Sequence, residues 1–223
     1  MNLMTYFSFL RAECCLVWRR KQNVVNSVLF FLLVIVLFPL GIDATPMFLS
    51  KAASGIIWCA AALAILTSID SLFKEDYHDG SLEQWLISGL SVPILVLIKM
   101  TLHWLFIALP LLLLSPILSE VLYLPDNSFW PLFLSIVLAT PSLFLLGGIG
   151  SAITVSLRQG GVLMLLIVLP LYLPIIIFAT SITKAAQVGL PYDAPLAILA
   201  AIFLVSLVVS PLMTAISIKA SVN

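Results

Sequence analysis

Six long apolar blocks constrain the fold of this 223-residue chain more than any other feature of its sequence. A membrane-spanning helix needs about 20 predominantly apolar residues. Only 9% of the residues are charged, against about 25% in an average soluble domain. The blocks cover residues 24–40, 52–69, 94–118, 129–157, 160–181 and 195–218. The sequence therefore predicts one all-α polytopic membrane domain over residues 1–223, with six transmembrane helices.

Prolines and glycines inside three of the blocks predict kinks or breaks, because proline removes a helical hydrogen bond and clashes with the preceding turn. The fourth block is also long enough to tilt. The positions are Pro141 with Gly147, Gly148 and Gly150 in the fourth block, Pro170 and Pro174 in the fifth, and Pro211 in the sixth.

The basic residues predict the orientation of the six helices, because cytoplasmic loops carry an excess of Lys and Arg. With the N-terminus inside, only Lys51 and Lys184 of the ten basic residues fall on the outer side. Both termini are then cytoplasmic, and the outer loops at 41–51, 119–128 and 182–194 are too short to form a domain. The inner basic residues are Arg11, Arg19, Arg20, Lys21, Lys74, Lys99, Arg158 and Lys219.

Residues 1–21 predict an amphipathic helix before the first span. Apolar residues recur at helical spacing, which is typical of a helix that lies in the membrane interface. The alternative is that this segment extends the first span. The basic run from Arg19 to Lys21 marks the predicted cytoplasmic boundary. The apolar positions are Leu3, Phe7, Leu10, Cys14 and Val17.

The polar segment 73–93, between the second and third blocks, contains the signals of a short helix. Ser81 is a favourable N-cap, and Gln84 would complete a capping box. Gly89 can end the helix in a left-handed conformation, and Pro93 can open the next helix. Glu83 falls in the first turn, where the helix dipole favours a carboxylate.

The apolar residues of this short helix share one face, which consists of Leu82, Trp85 and Leu86. The segment is therefore predicted to be a cytoplasmic amphipathic helix between spans two and three. The alternative is a solvated loop whose few apolar residues touch the lipid surface.

Three polar residues near the ends of the second and third blocks are candidates for a functional site, since polar groups at membrane depth are costly. Lys99 and His103 are four residues apart and share a helical face. With Asp70 they could line a polar pathway. The alternative is structural: Lys99 snorkels to the inner surface and pairs with Asp70, while His103 bonds a neighbouring helix.

Several function classes lack their sequence signals. Three cysteines without a C-x-x-C pair, and two isolated histidines, give no metal, haem-attachment or redox pattern. No P-loop or catalytic serine motif occurs, so we expect no enzymatic activity and no bound cofactor. The formal net charge of zero gives no indication of a nucleic-acid partner.

The segment LFKEDYHDGSLEQWLISGLSVPILVLIK resembles the cytoplasmic loop of ABC-2-type exporter membrane subunits. In those proteins an acidic stretch and Gly-[Ser/Thr]-Leu-Glu precede a short helix that contacts the ATPase. The usual Leu-Pro or Thr-Pro after the helix is replaced here by 88–90, Ser-Gly-Leu. The resemblance implies ATPase contact and coupling at Glu75, Asp79, Gly80, Ser81, Leu82, Glu83, Trp85 and Leu86.

Over nearly its whole length the chain resembles the haem exporter protein B family, whose members are membrane components of cytochrome c maturation. The motifs are LFPL at 37–40, GIIW at 55–58, DGSLEQ at 79–84, LSP at 114–116, ATPSLFLLG at 139–147 and RQGGVLMLLIVLPLYLPIIIFAT at 158–180.

This resemblance implies a bacterial inner-membrane location and a set of partners. A cytoplasmic ATPase would bind ATP in an A2B2-like core, and haem-handling subunits C and D would serve a periplasmic haem chaperone. ATP hydrolysis would drive either export of haem as the substrate or release of the loaded chaperone.

Two other functions fit the same sequence. One is an ABC-2-type exporter of another hydrophobic substrate, and the other is a membrane scaffold for the ATPase that transports nothing. Neighbouring genes would discriminate: glycan-synthesis genes would favour the exporter, whereas ATPase and haem-handling genes would favour cytochrome c maturation.

Overall fold

The computed structural model describes residues 3–19, 21–43, 45–157 and 160–222, and the regular structure in these ranges is helical. A short 3-10 turn, Asp126–Ser128, precedes the seventh helix. The helices are α1 (Leu3–Arg19), α2 (Lys21–Gly41), α3 (Pro46–Ile69), α4 (Lys74–His78), α5 (Ser81–Ile87), α6 (Val92–Val121), α7 (Phe129–Ile153), α8 (Gly160–Gln187) and α9 (Asp193–Val222).

Six of these helices, namely α2, α3 and α6 to α9, are long and apolar enough to cross a membrane. The predicted all-α fold with six transmembrane helices is confirmed. Two details of the prediction, the boundary at Arg20 and the turn at 158–159, lie outside the described residues.

The bundle is built around α3 and α7, the two most enclosed of its long helices. Small residues on α3, including Ala53, Ala60 and Ala64, are fully buried and let neighbouring helices approach closely. The helix α7 packs against α3, α6, α8 and α9. The outer helices α2, α8 and α9 expose most of their apolar side chains, as expected for surfaces that face lipid.

The predicted break in the fourth block is wrong, because α7 continues through Pro141 and the glycine cluster to Ile153. The glycines serve close packing instead. A Cβ added at Gly147 would lie 2.6 Å from Ile69 Cδ1. Gly148 lies against the side chain of Met100, and Gly150 lies against Val168.

Polar side chains of neighbouring helices attach to the middle of α7. The Tyr172 hydroxyl donates a hydrogen bond to the Leu143 carbonyl at 2.8 Å. Ser210 donates to the Leu145 carbonyl, and the Trp104 indole donates to Thr140 Oγ1 at 3.0 Å. These hydrogen bonds tie α8, α9 and α6 to the middle of α7. The helices α8 and α9 likewise continue without a break through the prolines at which a kink or a break was predicted.

A second apolar cluster lies at the end of the bundle that carries α4 and α5, hereafter the α4–α5 end. The basic residues predict this end to be cytoplasmic. There α1 packs along the first half of α6: the Tyr6 hydroxyl accepts a hydrogen bond from the Ser91 amide at 3.2 Å. Farther along, the rings of Trp18 and Phe106 lie 6.4 Å apart. The two helices therefore run side by side in the same direction.

Candidate coupling site

The short helix α5 begins one residue earlier than the capping signals predicted. Gly80 occupies the cap position with φ of 75°, a left-handed conformation that favours glycine. Ser81 is the first helical residue, and its amide donates to Asp79 Oδ1 at 2.9 Å. The capping box predicted for Ser81 and Gln84 is therefore wrong, and Asp79 supplies the oxygen that satisfies the helix start.

The predicted end of α5 is confirmed. Gly89 has φ of 71°, in the left-handed region that the sequence predicted. The following helix α6 starts at Val92 with Pro93 in its first turn, where proline loses no helical hydrogen bond. These two residues fix a tight connection between α5 and α6.

The apolar face of α5 packs into the chain itself. Leu82 and Trp85 are buried, and Leu86 is half-buried. The Trp85 ring meets Phe9 of α1 edge to face, with centroids 5.4 Å apart. The expectation that Leu82 and Trp85 offer their side chains to a partner is therefore corrected: in this structure they hold α5 to the bundle.

The outward face of α5 consists of Glu83, Gln84 and Ile87. Ile87 is 84% exposed, although it is a large aliphatic residue. Asp79 is also exposed, while Glu75 and Ser81 are partly exposed. The surface that a partner could reach is therefore acidic, with one prominent aliphatic side chain.

Beneath this surface Lys99 of α6 lies between two carboxylates. Its Nζ is 2.6 Å from Asp76 Oδ2 of α4 and 3.1 Å from Glu13 Oε2 of α1. The Lys99 side chain is 2% exposed, and both carboxylate side chains are 5% exposed. The ammonium also lies 5.8 Å from the centroid of the Trp85 ring, within the distance of a cation–π contact. We call Glu13, Lys99 and Asp76 the buried triad.

The predicted partner of Lys99 was wrong. Asp70 pairs instead with Lys74, four residues on, at 2.7 Å on a partly exposed surface. Lys99 does not extend to the surface either, since the buried triad encloses its ammonium. The buried triad thus joins three separate helices, whereas the Asp70–Lys74 pair joins neighbouring turns.

Sequence reasoning missed Glu13. The buried side of α1 runs through Glu13 and Val17, with Tyr6 and Phe9 half-buried, whereas Phe7 is 70% exposed. The predicted apolar face was therefore rotated around the helix. A search for apolar periodicity rejects a carboxylate, so it could not select the face that contains Glu13. The usable signal was an acidic residue at helical spacing from two aromatic residues.

The family model described as CcmB protein matches residues 4–221 of the chain. The chain belongs to the CcmB family. Among its relatives, Heme exporter protein B of Haemophilus influenzae is 43% identical over 220 residues, which cover 99% of this chain and 100% of that protein. Heme exporter protein B of Pseudomonas aeruginosa is 42% identical over 218 residues, covering 97% and 98%. That of Escherichia coli strain K12 is 41% identical over 220 residues, covering 99% and 100%.

The family assignment confirms the resemblance that the motifs indicated. In this CcmB-family chain the remaining polar candidates lie at the α4–α5 end. Glu75 and His103 line one small polar cavity of 20 Å³, together with Asn23. Asp70 lies apart from it, beside the first turn of α8, where a Cβ added at Gly161 would come within 3.2 Å of Asp70 Oδ1. The structure therefore does not bring Asp70, Lys99 and His103 together as one pathway.

Proposed function

We propose that this chain is the membrane subunit of an ABC-type complex for cytochrome c biogenesis, and that a partner ATPase drives it through the α4–α5 end. The relatives named Heme exporter protein B support haem as the transported or handled molecule. In this proposal ATP is hydrolysed on the partner chain. The energy serves haem export or release of a haem-loaded periplasmic chaperone, together with the haem-handling subunits C and D.

The buried triad is the observation that carries this proposal. A force applied to α4 is transmitted to α6 through Asp76 and Lys99, and to α1 through Lys99 and Glu13. Rearranging any one of these helices alone would expose a charge to an apolar environment, which is costly. The three helices therefore respond to the ATPase as one unit.

Because α6 is long, it would transmit a motion of the α4–α5 end across the membrane. Its 30 residues correspond to about 45 Å, against about 30 Å for the hydrocarbon core of a bilayer. One continuous helix therefore runs from the ATPase side through the membrane. Nucleotide bound to the ATPase must favour one arrangement of the unit formed by α1, α4 and α6 over another. A ligand shifts a conformational equilibrium only by the difference in its affinity for the two states.

The partner surface in this proposal is the exposed face of α5 with its neighbours. Glu83 is exposed and would form charge-assisted hydrogen bonds to basic groups of the ATPase, and the exposed Asp79 adds negative charge beside it. Ile87 is the apolar anchor, because a large side chain left 84% exposed can be buried by a partner. This assignment replaces the buried residues Leu82 and Trp85 as direct contacts.

Co-purification of the ATPase with variants of the full chain tests the proposal. Ile87→Asp should leave the bundle folded and release the ATPase, since it places a charge in the predicted interface. Gln84→Ala, on the same face, is the matched control for an exposed change and should retain the ATPase. Retention of the ATPase by Ile87→Asp at the unaltered level would contradict the proposed contact surface.

Trp85→Ala distinguishes an interface from a fold contact. Because Trp85 is buried against Phe9 and Lys99, its truncation should lower the stability of the isolated chain by about 3–5 kcal/mol. Thermal unfolding without the ATPase should detect this loss. An isolated Trp85→Ala chain that is as stable as the unaltered chain would show that the Trp85 packing is not maintained in solution.

A further inference from the structure

Asp70, the residue that follows α3, has one carboxylate oxygen with a partner and one without. Its Oδ2 pairs with Lys74 Nζ of α4 at 2.7 Å. Its Oδ1 is buried and accepts no hydrogen bond from the part of the chain that the structure describes. A buried acceptor without a donor has lost its hydration and gained nothing in return, which is costly. A donor close to Oδ1 would remove this cost.

The first turn of α8 lies beside this oxygen. The helix begins at Gly160, and a Cβ added at Gly161 would come within 3.2 Å of Asp70 Oδ1. The first amides of an α-helix have no acceptor within the helix itself. The helix dipole also favours a carboxylate at this end. The start of α8 therefore offers the kind of donor that Oδ1 lacks.

Gly161 gives the carboxylate room to approach the backbone of α8. Glycine is a poor helix former, and alanine would favour the helix. An alanine here would place its Cβ against the carboxylate of Asp70. The close approach of Asp70 therefore accounts for a glycine at this position.

The other end of α8 is attached to the same helix, α3. Gln187 Nε2 donates a hydrogen bond to the Ser50 carbonyl at 3.1 Å. Ser50 lies in the first turns of α3, and Asp70 directly follows its last residue. The helix α3 thus meets α8 at both ends. The contact at Gln187 is a formed hydrogen bond, whereas the contact at Gly161 depends on a carboxylate that α4 also uses.

The two charged contacts of α4 differ in burial. Asp76 belongs to the buried triad, whereas the side chains of Lys74 and Asp70 are 30% and 37% exposed. Ion pairs at a surface contribute little to stability, so a shift of Lys74 can move or release Asp70 at small cost. This pair is therefore suited to a contact that changes when α4 moves.

We propose that Asp70 is a positioning residue that links α4 to α8, with one carboxylate oxygen on Lys74 and the other on the first-turn amides of α8. This inference deepens the proposed function and rests on it, because the ATPase would supply the motion of α4. A displacement of α4 then reaches α8 through Asp70, in addition to α1 and α6 through the buried triad.

Hydrogen–deuterium exchange of the isolated full chain tests the contact without the ATPase. Asp70→Ala should make the first-turn amides of α8 exchange at least about ten-fold faster, because a hydrogen bond to a charged group is lost. Asp70→Asn keeps an acceptor oxygen and should restore most of the protection. Lys74→Met leaves the carboxylate in place and should not raise the exchange rate.

The middle of α8, around buried Val168, should exchange at the unaltered rate in every variant, which shows that the chain is folded. If Asp70→Ala fails this check, Gly161→Ala is the second variant, since it displaces the carboxylate from the other side. Equal exchange of the first-turn amides in the unaltered chain and in the folded variant would overturn the contact.

Cytochrome c maturation per ATP hydrolysed, measured in membrane vesicles with the ATPase, tests the link. Lys74→Met cuts the α4 side, and Gly161→Ala cuts the α8 side. Each should lower this ratio at least about five-fold while the ATPase stays bound, since allosteric couplings amount to about 5–150-fold. Because the two contacts lie in series, the double variant should have a ratio no lower than that of the weaker single variant.

Two control variants should keep the unaltered ratio. Val162→Ala lies in the same turn of α8, at a position that is 67% exposed, and Lys219→Met removes a different exposed basic residue. An unaltered ratio in both Lys74→Met and Gly161→Ala, with the ATPase bound, would overturn the link and leave the proposed function standing. Absence of the ATPase from the unaltered complex would refute the proposed function and the transmission from α4, while the exchange experiment would still decide the contact between Asp70 and α8.

Discussion

Replacement of Lys99 by methionine should destabilise the protein strongly, because it removes the charge of the buried triad while keeping most of the volume of the side chain. Lys99 Nζ lies 2.6 Å from Asp76 Oδ2 and 3.1 Å from Glu13 Oε2. At an effective dielectric constant of about 20 these separations correspond to gross attractions of about 6 and about 5 kcal/mol. Burial of the three charges offsets most of this attraction, since each loses its hydration.

The loss of stability is therefore set by the two buried carboxylates that remain after the substitution. Lys99→Met leaves Glu13 and Asp76 facing each other without a cation, and removal of one member of a buried ion pair costs about 3–5 kcal/mol. Converting the carboxylates as well, with Glu13→Gln and Asp76→Asn, removes the uncompensated charges. The triple variant should recover to within about 1 kcal/mol of the unaltered chain.

Equilibrium unfolding in mixed detergent micelles, followed by circular dichroism, measures these differences. The control is Lys74→Met, because Lys74 pairs with Asp70 on a surface where its side chain is 30% exposed. Such surface pairs contribute only about 0–1 kcal/mol. The reasoning is refuted if Lys99→Met costs no more than Lys74→Met, or if the triple variant is no more stable than Lys99→Met alone.

Three further predictions concern packing, chemistry and topology. Gly150→Ala should cost about 1–3 kcal/mol of stability because its Cβ would meet Cγ2 of buried Val168, a β-branched side chain that cannot turn away freely. Gly55→Ala, which has open space, should not show this cost, and equal unfolding curves for the two variants would contradict the packing. His103→Ala should preserve cytochrome c maturation in a complementation assay, since we expect this residue to be structural, and loss of maturation with normal assembly would contradict that role. Cysteines placed at Asp126 and at His78, in a chain without native cysteines, should be labelled from opposite sides of the membrane; labelling of both from the periplasm would contradict the predicted orientation.

The sequence was sufficient for features that depend on local composition. Apolar length alone predicted the six spans, because hydrocarbon thickness sets the length of a transmembrane helix. The end of α5 at Gly89 and the start of α6 near Pro93 were also predictable, since their backbone preferences are intrinsic to those residue types. The Gly-Ser-Leu-Glu motif located the short helix itself.

The predictions that were wrong concern features that depend on packing against a neighbouring helix. The same glycines can permit a break or a close contact, and only the positions of Met100 and Val168 select the contact. Trp85 was correctly placed on an apolar face, but the sequence does not state whether this face meets a partner or α1. Lys99 forms an ion pair with Glu13, which lies 86 residues earlier in the chain. No local sequence pattern predicts a pairing over that separation.

The position of α7 at the centre of the bundle has a consequence for biogenesis. Ribosomal synthesis delivers α7 before α8 and α9, yet these two late helices cover it and provide Tyr172 and Ser210 for its carbonyl groups. Until they are inserted, Gly147 and Gly148 of α7 can pack against Ile69 of α3 and Met100 of α6, whereas Gly150, which packs against Val168 of α8, borders lipid or the insertion machinery. Closure of the core around α7 therefore waits for α8 and α9, Gly160–Gln187 and Asp193–Val222, which both follow it in the chain.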